Sequence, residues 1–194
     1  MEFLNIKLNR NNTLEVKYKN VDGDVISMQG ANIVHKDLKR AMNNLIPHMA
    51  IVTEQREAMD RNLKQVQADK ITDEGNDSVF KRLTVDSVQL SENENTVTLT
   101  GCRLLLKGGI CKLVSPVITL SDSESYTYAD DLAVDIDALK YEVKAYIEER
   151  KWGVKEAEIA FDDPFNGVEA DAAPEVGMQV VEPKKRGRKP KKAA

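Results

Sequence analysis

Four groups of residues in this 194-residue chain have the side-chain types from which sites are built. Residues 184–192 read Lys-Lys-Arg-Gly-Arg-Lys-Pro-Lys-Lys, and basic side chains this dense suit a polyanion, because each phosphate they neutralise releases a counterion. Asp130, Asp131, Asp135 and Asp137 imitate the carboxylate cluster of a divalent-cation site. Three of them fall in the cap and first turn of an expected helix, where acids answer the positive end of the helix dipole, so no metal is expected. Cys102 and Cys111 are the only cysteines, and with His35 and His48 they show no zinc-ligand spacing. Gly108-Gly109 lacks the spaced glycines and following Lys-Ser/Thr of a phosphate loop and reads as a hairpin turn. If it is a two-residue turn, Leu106 pairs with Cys111 and Cys102 faces Ser115, too far from Cys111 for a disulfide. No nucleophile and base stand in register, and His48 has no acid placed beside it. A structural histidine and a non-enzymatic protein without cofactor are therefore the expectation.

The charge of the chain is split between two opposed objects. Seven of its 28 basic residues are Lys184, Lys185, Arg186, Arg188, Lys189, Lys191 and Lys192. Residues 1–183 keep 21 against all 32 acids, a net −11 behind an overall −4. Such asymmetry points to DNA or RNA as the partner of the terminus. The chain opens without the apolar core of a signal peptide and holds no run long and apolar enough to span a bilayer. It is therefore expected in the cytoplasm, with no membrane partner.

These residues need elements to position them. Leu4, Ile6 and Leu8, then Leu14, Val16 and Tyr18, alternate with polar residues on either side of Asn11-Asn12, which predicts a hairpin with one wet face. Asp22-Gly23 predicts a turn into a short strand, Val25 to Met28, that Gly30 ends. Leu38, Ala41, Met42, Leu45, Met49 and Val52 then form a helical stripe. Pro47 predicts a kink, or two helices meeting near Ile46, with the helix fraying near Lys64. Residues 73–78 read as a loop. A second meander follows: the apolar parity changes between Val85 and Val88, which predicts a bulge near Asp86-Ser87. Residues 92–95 turn the chain, and Leu104-Leu105-Leu106 reads as a strand covered on both faces. Asp130 or Asp131 would cap a last helix with Leu132, Ile136, Leu139, Val143, Tyr146 and Ile147 on its buried stripe, stopped by Gly153.

The fold class is thus α+β, antiparallel meanders each followed by a long helix. Residues 1–152 form the body, read either as two halves, 1–65 and 79–152, or as a single domain with helices on one antiparallel sheet. Residues 153–183, with eight acids against Lys155, are expected to be a disordered acidic linker, and 184–194 the basic tail.

Three resemblances add expectations. Ile159-Ala160-Phe161-Asp162-Asp163-Pro164-Phe165 resembles the acidic Asp-Pro-Phe tails with which single-stranded DNA-binding proteins recruit replication partners, although here it is internal. That implies a protein partner held through Phe161, Asp162, Asp163 and Phe165. The Arg186-Gly187-Arg188 core of the tail resembles an AT-hook, whose guanidiniums enter the narrow minor groove of A·T-rich DNA. It departs from that motif by inserting Lys189 before Pro190. The body, through His-Lys-Asp-Leu-Lys-Arg-Ala at 35–41, Leu-Ile-Pro-His at 45–48 and the Gly-Gly hairpin leading to Ser-Pro-Val-Ile at 115–118, resembles uncharacterised proteins of tailed bacteriophages. This implies a host bacterial cytoplasm and a small DNA-associated accessory factor, with a homo-oligomer among its expected states. Its alternative is an interaction protein, a virion component or an inhibitor of host defence, to which the tail is incidental.

Overall fold

Strands β1 (Glu2–Leu8) and β2 (Thr13–Lys19) form the expected hairpin, and their alternation buries Phe3, Ile6, Leu14, Val16 and Tyr18 on one face. The register shifts between Phe3 and Asn5, so Phe3 enters the core and Leu4 is only partly covered. The computed structural model describes residues 1–72 and 79–153. Gly23, at φ +92°, sits in the turn into β3 (Val25–Ile33), as the Asp-Gly signal predicts. Gly30 does not end that strand: the Tyr146 ring lies against it, closer than a Cβ would allow, and Tyr146 donates to the Asn32 carbonyl at 2.8 Å. Glycine here admits a packed ring instead of breaking the chain.

The second meander, β4 (Leu83–Leu90), β5 (Thr96–Leu104), β6 (Ile110–Val114) and the short β7 (Ile118–Thr119), joins the first through antiparallel pairing of β1 with β4. The result is one seven-stranded antiparallel sheet in the order β3-β2-β1-β4-β5-β6, with β7 beside β5. The bulge predicted at Asp86-Ser87 is present, where the β4–β5 register shifts between Val85 and Ser87. It draws the Thr84 carbonyl so close to Gly101 that a side chain there would collide with backbone.

The Gly-Gly hairpin departs from expectation. Leu104 pairs with Ile110, Arg103 with Cys111 and Cys102 with Lys112, because the turn takes up residues 105–109, Leu105 N donating to Gly109 O and Gly108 N to Leu105 O. The two cysteines are free and, being one register step apart, project from opposite faces. Leu104-Leu105-Leu106 is exposed instead of doubly covered, since it forms the end of the hairpin beyond the helices.

Helix α1 (Lys36–Val52) runs unbroken through Pro47. The proline removes one backbone donor, yet it is buried together with Leu45, Ile46, His48, Met49 and Ala50, and that packing keeps the helix continuous, so two helices do not meet near Ile46. His35 caps it, accepting from Asp37 N at 3.3 Å. The helix ends at Val52, and a separate α2 (Leu63–Thr72) follows, opened by a reciprocal pair in which Asn62 Oδ1 accepts from Gln65 N and Gln65 Oε1 from Asn62 N. The expected fraying therefore gives way to a second capped helix. The loop read at 73–78 lies outside the described residues.

Helix α3 (Ala129–Glu148) buries Leu132, Ile136, Leu139, Val143 and Tyr146 as expected, with Ile147 partly covered. Its N-cap is Tyr128, without a side-chain cap, so Asp130 and Asp131 lie in the first turn instead. Gly153 is not its stop. Beyond the helix end Trp152 bridges Val34, and Gly153 N donates to Ile33 O, tying the chain to the end of β3.

Both long helices pack on the face that carries Ile6, Val16, Val88 and Leu99; the other face, with Lys7, Glu15, Lys17 and Thr100, is half-buried or open. Gly101→Ala should lose about 2–4 kcal/mol in urea denaturation, since the obstacle is backbone and cannot turn aside. Gly108→Ala, with nothing near its would-be Cβ but a φ of +86°, should cost only about 1 kcal/mol. Equal losses at the two sites would contradict the close approach of β4 to β5.

Candidate functional site

The central polar feature of the core lies where α1 meets α3. His48 is fully buried. Its Nδ1 lies 2.9 Å from the Tyr126 hydroxyl and its Nε2 lies 3.2 Å from Asp135 Oδ2. Burial first, then the nearby Tyr128 ring and the Asp131 and Asp135 carboxylates, push the Tyr126 phenol well above its ordinary range, so it keeps its proton. The pairing that satisfies all three groups has Tyr126 donating to Nδ1 and Nε2–H donating to Asp135. This corrects the sequence expectation, which found no acid beside His48; Tyr126 and Asp135 are 78 and 87 residues away in the chain. An Asp-His-hydroxyl line has the order of a nucleophilic triad, but a buried phenol that holds its proton is a poor attacking group. The network acts as a tie between helices, extended by edge-to-face contacts of Tyr126 with His48 and with Tyr128.

Tyr128 carries this network to the surface. It lines both a groove of about 520 Å³, with Ile51, Met59 and Arg61, and a neighbouring hollow of about 280 Å³, with Lys64, Gln67 and Asp131. Asn62, the cap of α2, borders both. Cations and carboxylates are mixed around these walls, so neither presents one sign of charge to a ligand.

The aspartates suspected of binding metal are dispersed: Asp135 turns to His48, Asp137 lies 3.4 Å from Lys140 Nζ, and Asp130 and Asp131 are exposed. Among the described residues no group of three or more His, Cys, Asp or Glu converges as metal ligands would. Cys102 lies 3.1 Å from Thr84 Oγ1 and 3.4 Å from Asp86 Oδ2, on the open face of the sheet. Arg103 Nη1 reaches Gln55 Oε1 at 2.6 Å and Glu57 Oε2 at 3.0 Å, fastening the loop after α1 to β5. Burial pushes the Glu57 carboxyl up, but the hydrogen bond from Arg103 and the charges of Arg103 and Arg56 prevail and hold it below its ordinary 4.5. At the other end, the hydrogen-bonded Lys151 ammonium holds the Asp37 carboxyl below its usual range.

The tail residues Lys184, Lys185, Arg186, Arg188, Lys189, Lys191 and Lys192, and Phe161, Asp162, Asp163 and Phe165, lie outside the described residues, as does most of the acidic segment 153–183. No helix among the described residues is long and apolar enough to cross a membrane. Comparison with protein-family models, curated proteins and solved structures finds no match for the chain.

Tyr126→Phe and Asp135→Ala should each cost about 1–3 kcal/mol, because each leaves a buried imidazole nitrogen without its partner. In a double-mutant cycle read by denaturant unfolding the two losses should not add, both acting through one ring. Additive losses would show that the ring does not couple them. Glu57, with its folded pKa depressed, contributes stability that is complete above 4.5 and is lost as pH falls through the lowered folded value. Arg103→Met should flatten that acid limb in thermal unfolding series between pH 6 and pH 3, and an unchanged limb would refute the pairing.

Proposed function

We propose that this chain is a non-enzymatic nucleic-acid-associated adaptor in a bacteriophage setting, its basic tail contacting DNA and its folded body holding another protein chain. The observation that carries the reading is the charge split: seven cations in nine positions attached to a chain whose residues 1–183 carry a net −11. The acidic remainder, residues 1–183, repels a phosphate backbone at long range, so attraction is concentrated in residues 184–192. Lys184, Lys185, Lys189, Lys191 and Lys192 would meet phosphates, and Arg186 and Arg188, separated by Gly187, would lie in a narrow minor groove. Lys189 displaces Pro190 from its AT-hook position, which favours binding with little base preference. The body's part of the reading draws on the exposed apolar hairpin at Leu104–Leu106, surface that a lone chain has no reason to keep open. That feature also favours the second reading, an interaction protein whose tail is incidental.

Gel shifts with single- and double-stranded DNA, using the full chain and a chain ending at Glu182, separate the two. If about four to six phosphates are neutralised, log affinity for duplex should fall against log salt with a slope of roughly −4 to −5, each contact giving about −0.9. Removing the tail should flatten the slope. Replacing Arg186 and Arg188 by Lys should erase any A·T preference while keeping most of the affinity. Equal affinity and equal salt dependence for the two chains would remove the tail as the binding element and leave the interaction reading.

A further inference from the structure

Thirteen large apolar side chains stand exposed among the described residues, and six of them lie between positions 104 and 117. Leu104, Leu105, Leu106 and Ile110 are 46–83% exposed at the hairpin tip, and Val114 and Val117 are 54% and 67% exposed at its root. Between them runs β6, the last strand in the sheet order, with one edge unpaired among the described residues. Leu105 N donates to Gly109 O and Ser115 N to Leu99 O, and antiparallel bonding alternates along the ladder. Cys111 and Leu113 therefore turn their backbone groups to β5, while Ile110, Lys112 and Val114 turn theirs outward. Within β6 there is no proline and no bulge, and Lys112 is the single charge. Such an edge is answered by another strand.

Two features favour a second copy of the same strand. An antiparallel two-fold through β6 lays the apolar tip of one hairpin on the apolar root of the other, so each group covers its counterpart. Lys112 then sets the register. A two-fold through Lys112 would oppose two ammonium groups, which destabilises a cross-strand pair. A two-fold through Leu113 would set Ile110 against Pro116, which has no N–H to give. Centred on Cys111, the axis places Lys112 opposite Ile110 of the second copy, both with outward-facing backbone, while Arg103 is already neutralised by Glu57. We propose that the chain forms a two-fold dimer by antiparallel pairing of β6 with β6 of a second copy, centred on Cys111. This goes beyond the adaptor reading by naming the chain that the body holds, and it is tested without nucleic acid, so its failure leaves the DNA reading standing.

The full chain should sediment as a concentration-dependent dimer in the micromolar range. Lys112→Pro removes an outward N–H without touching the β5 ladder and should raise the dimer dissociation constant at least roughly thirtyfold, as loss of a central interface residue does. Ile110→Asp, which alters only an exposed side chain, should do the same and decides the matter if Lys112→Pro fails to fold. In a Cys102→Ser chain, diamide should take one hydrogen from each of two Cys111 thiols and leave a Cys111–Cys111 disulfide-linked dimer, which Cys111→Ser should not form. A monomer at every concentration, or a dimer that both edge variants leave intact, would overturn the proposal. A dimer sensitive to the variants but unlinked by diamide would overturn the centring on Cys111.

Discussion

Strands β1 and β4 meet over only three register pairs, Asn5 with Gln89, Ile6 with Val88 and Lys7 with Ser87, yet the placement of everything else follows from them. Without that seam the chain is two meanders, each with a helix and too little apolar surface to bury it. With it, Ile6 and Val88 lie side by side at the centre of one sheet, both fully buried, and the helices that follow each meander have the same face to cover. Closing a loop of this length costs conformational entropy that grows only slowly with its size, and the pairs alone repay little of it. The compensation comes from α1 packing on α3 over the seam. Secondary contacts brace it: Ser87 donates to Asn5 Oδ1, and Glu94 accepts from both Phe3 N and Lys140 Nζ.

The tie through His48 is a consequence of the same seam. Once α1 and α3 are neighbours, the core-facing position after Pro47 and the flank of α3 near its start are brought together, and a polar ring there has to find partners or forfeit the cost of burial. Tyr126 and Asp135 supply them, one from the approach to α3 and one from its second turn. A leucine pair would pack as well, but it would accept many helix offsets, whereas two directional bonds on one ring accept few.

Features set by neighbours in the chain were legible in the sequence. The change of apolar parity between Val85 and Val88 located the bulge, Asp22-Gly23 located a turn, and the stripe from Leu132 to Tyr146 located a buried helix face. What the sequence hid depends on distant residues. Gly30 looked like a breaker because the Tyr146 ring that packs against it is 116 residues away in the chain, and Pro47 looked able to split the helix because the packing that keeps it continuous comes from the sheet and α3. His48 lay on the apolar stripe of α1, and a polar residue at such a position demands a partner, but nothing local identifies which one. Leu104–Leu106 looked buried because apolarity usually marks the core, and only the five-residue turn placed it outside. The basic run, the most explicit chemical signal in the chain, was read from charge alone, since it lies outside the described residues.

The two edges of the sheet are treated differently, and the difference bears on how the body is used. At β3 the chain returns after α3, so that Trp152 bridges Val34, Gly153 bonds Ile33, and Tyr146 reaches over to Asn32. Lys151 then locks this return to α1 and α3 through Asp37 and Glu142. Several side chains are thus committed to closing the end of one edge. At β6 the described residues make no such provision, while the largest concentration of exposed leucine, isoleucine and valine lies beside it. A chain able to close the end of one edge with a short return could protect the other by the usual means, a charge on each face or a proline in the strand. Leaving β6 unguarded costs solubility unless something covers it, and that is the cost the proposed pairing of β6 with a second β6 would remove.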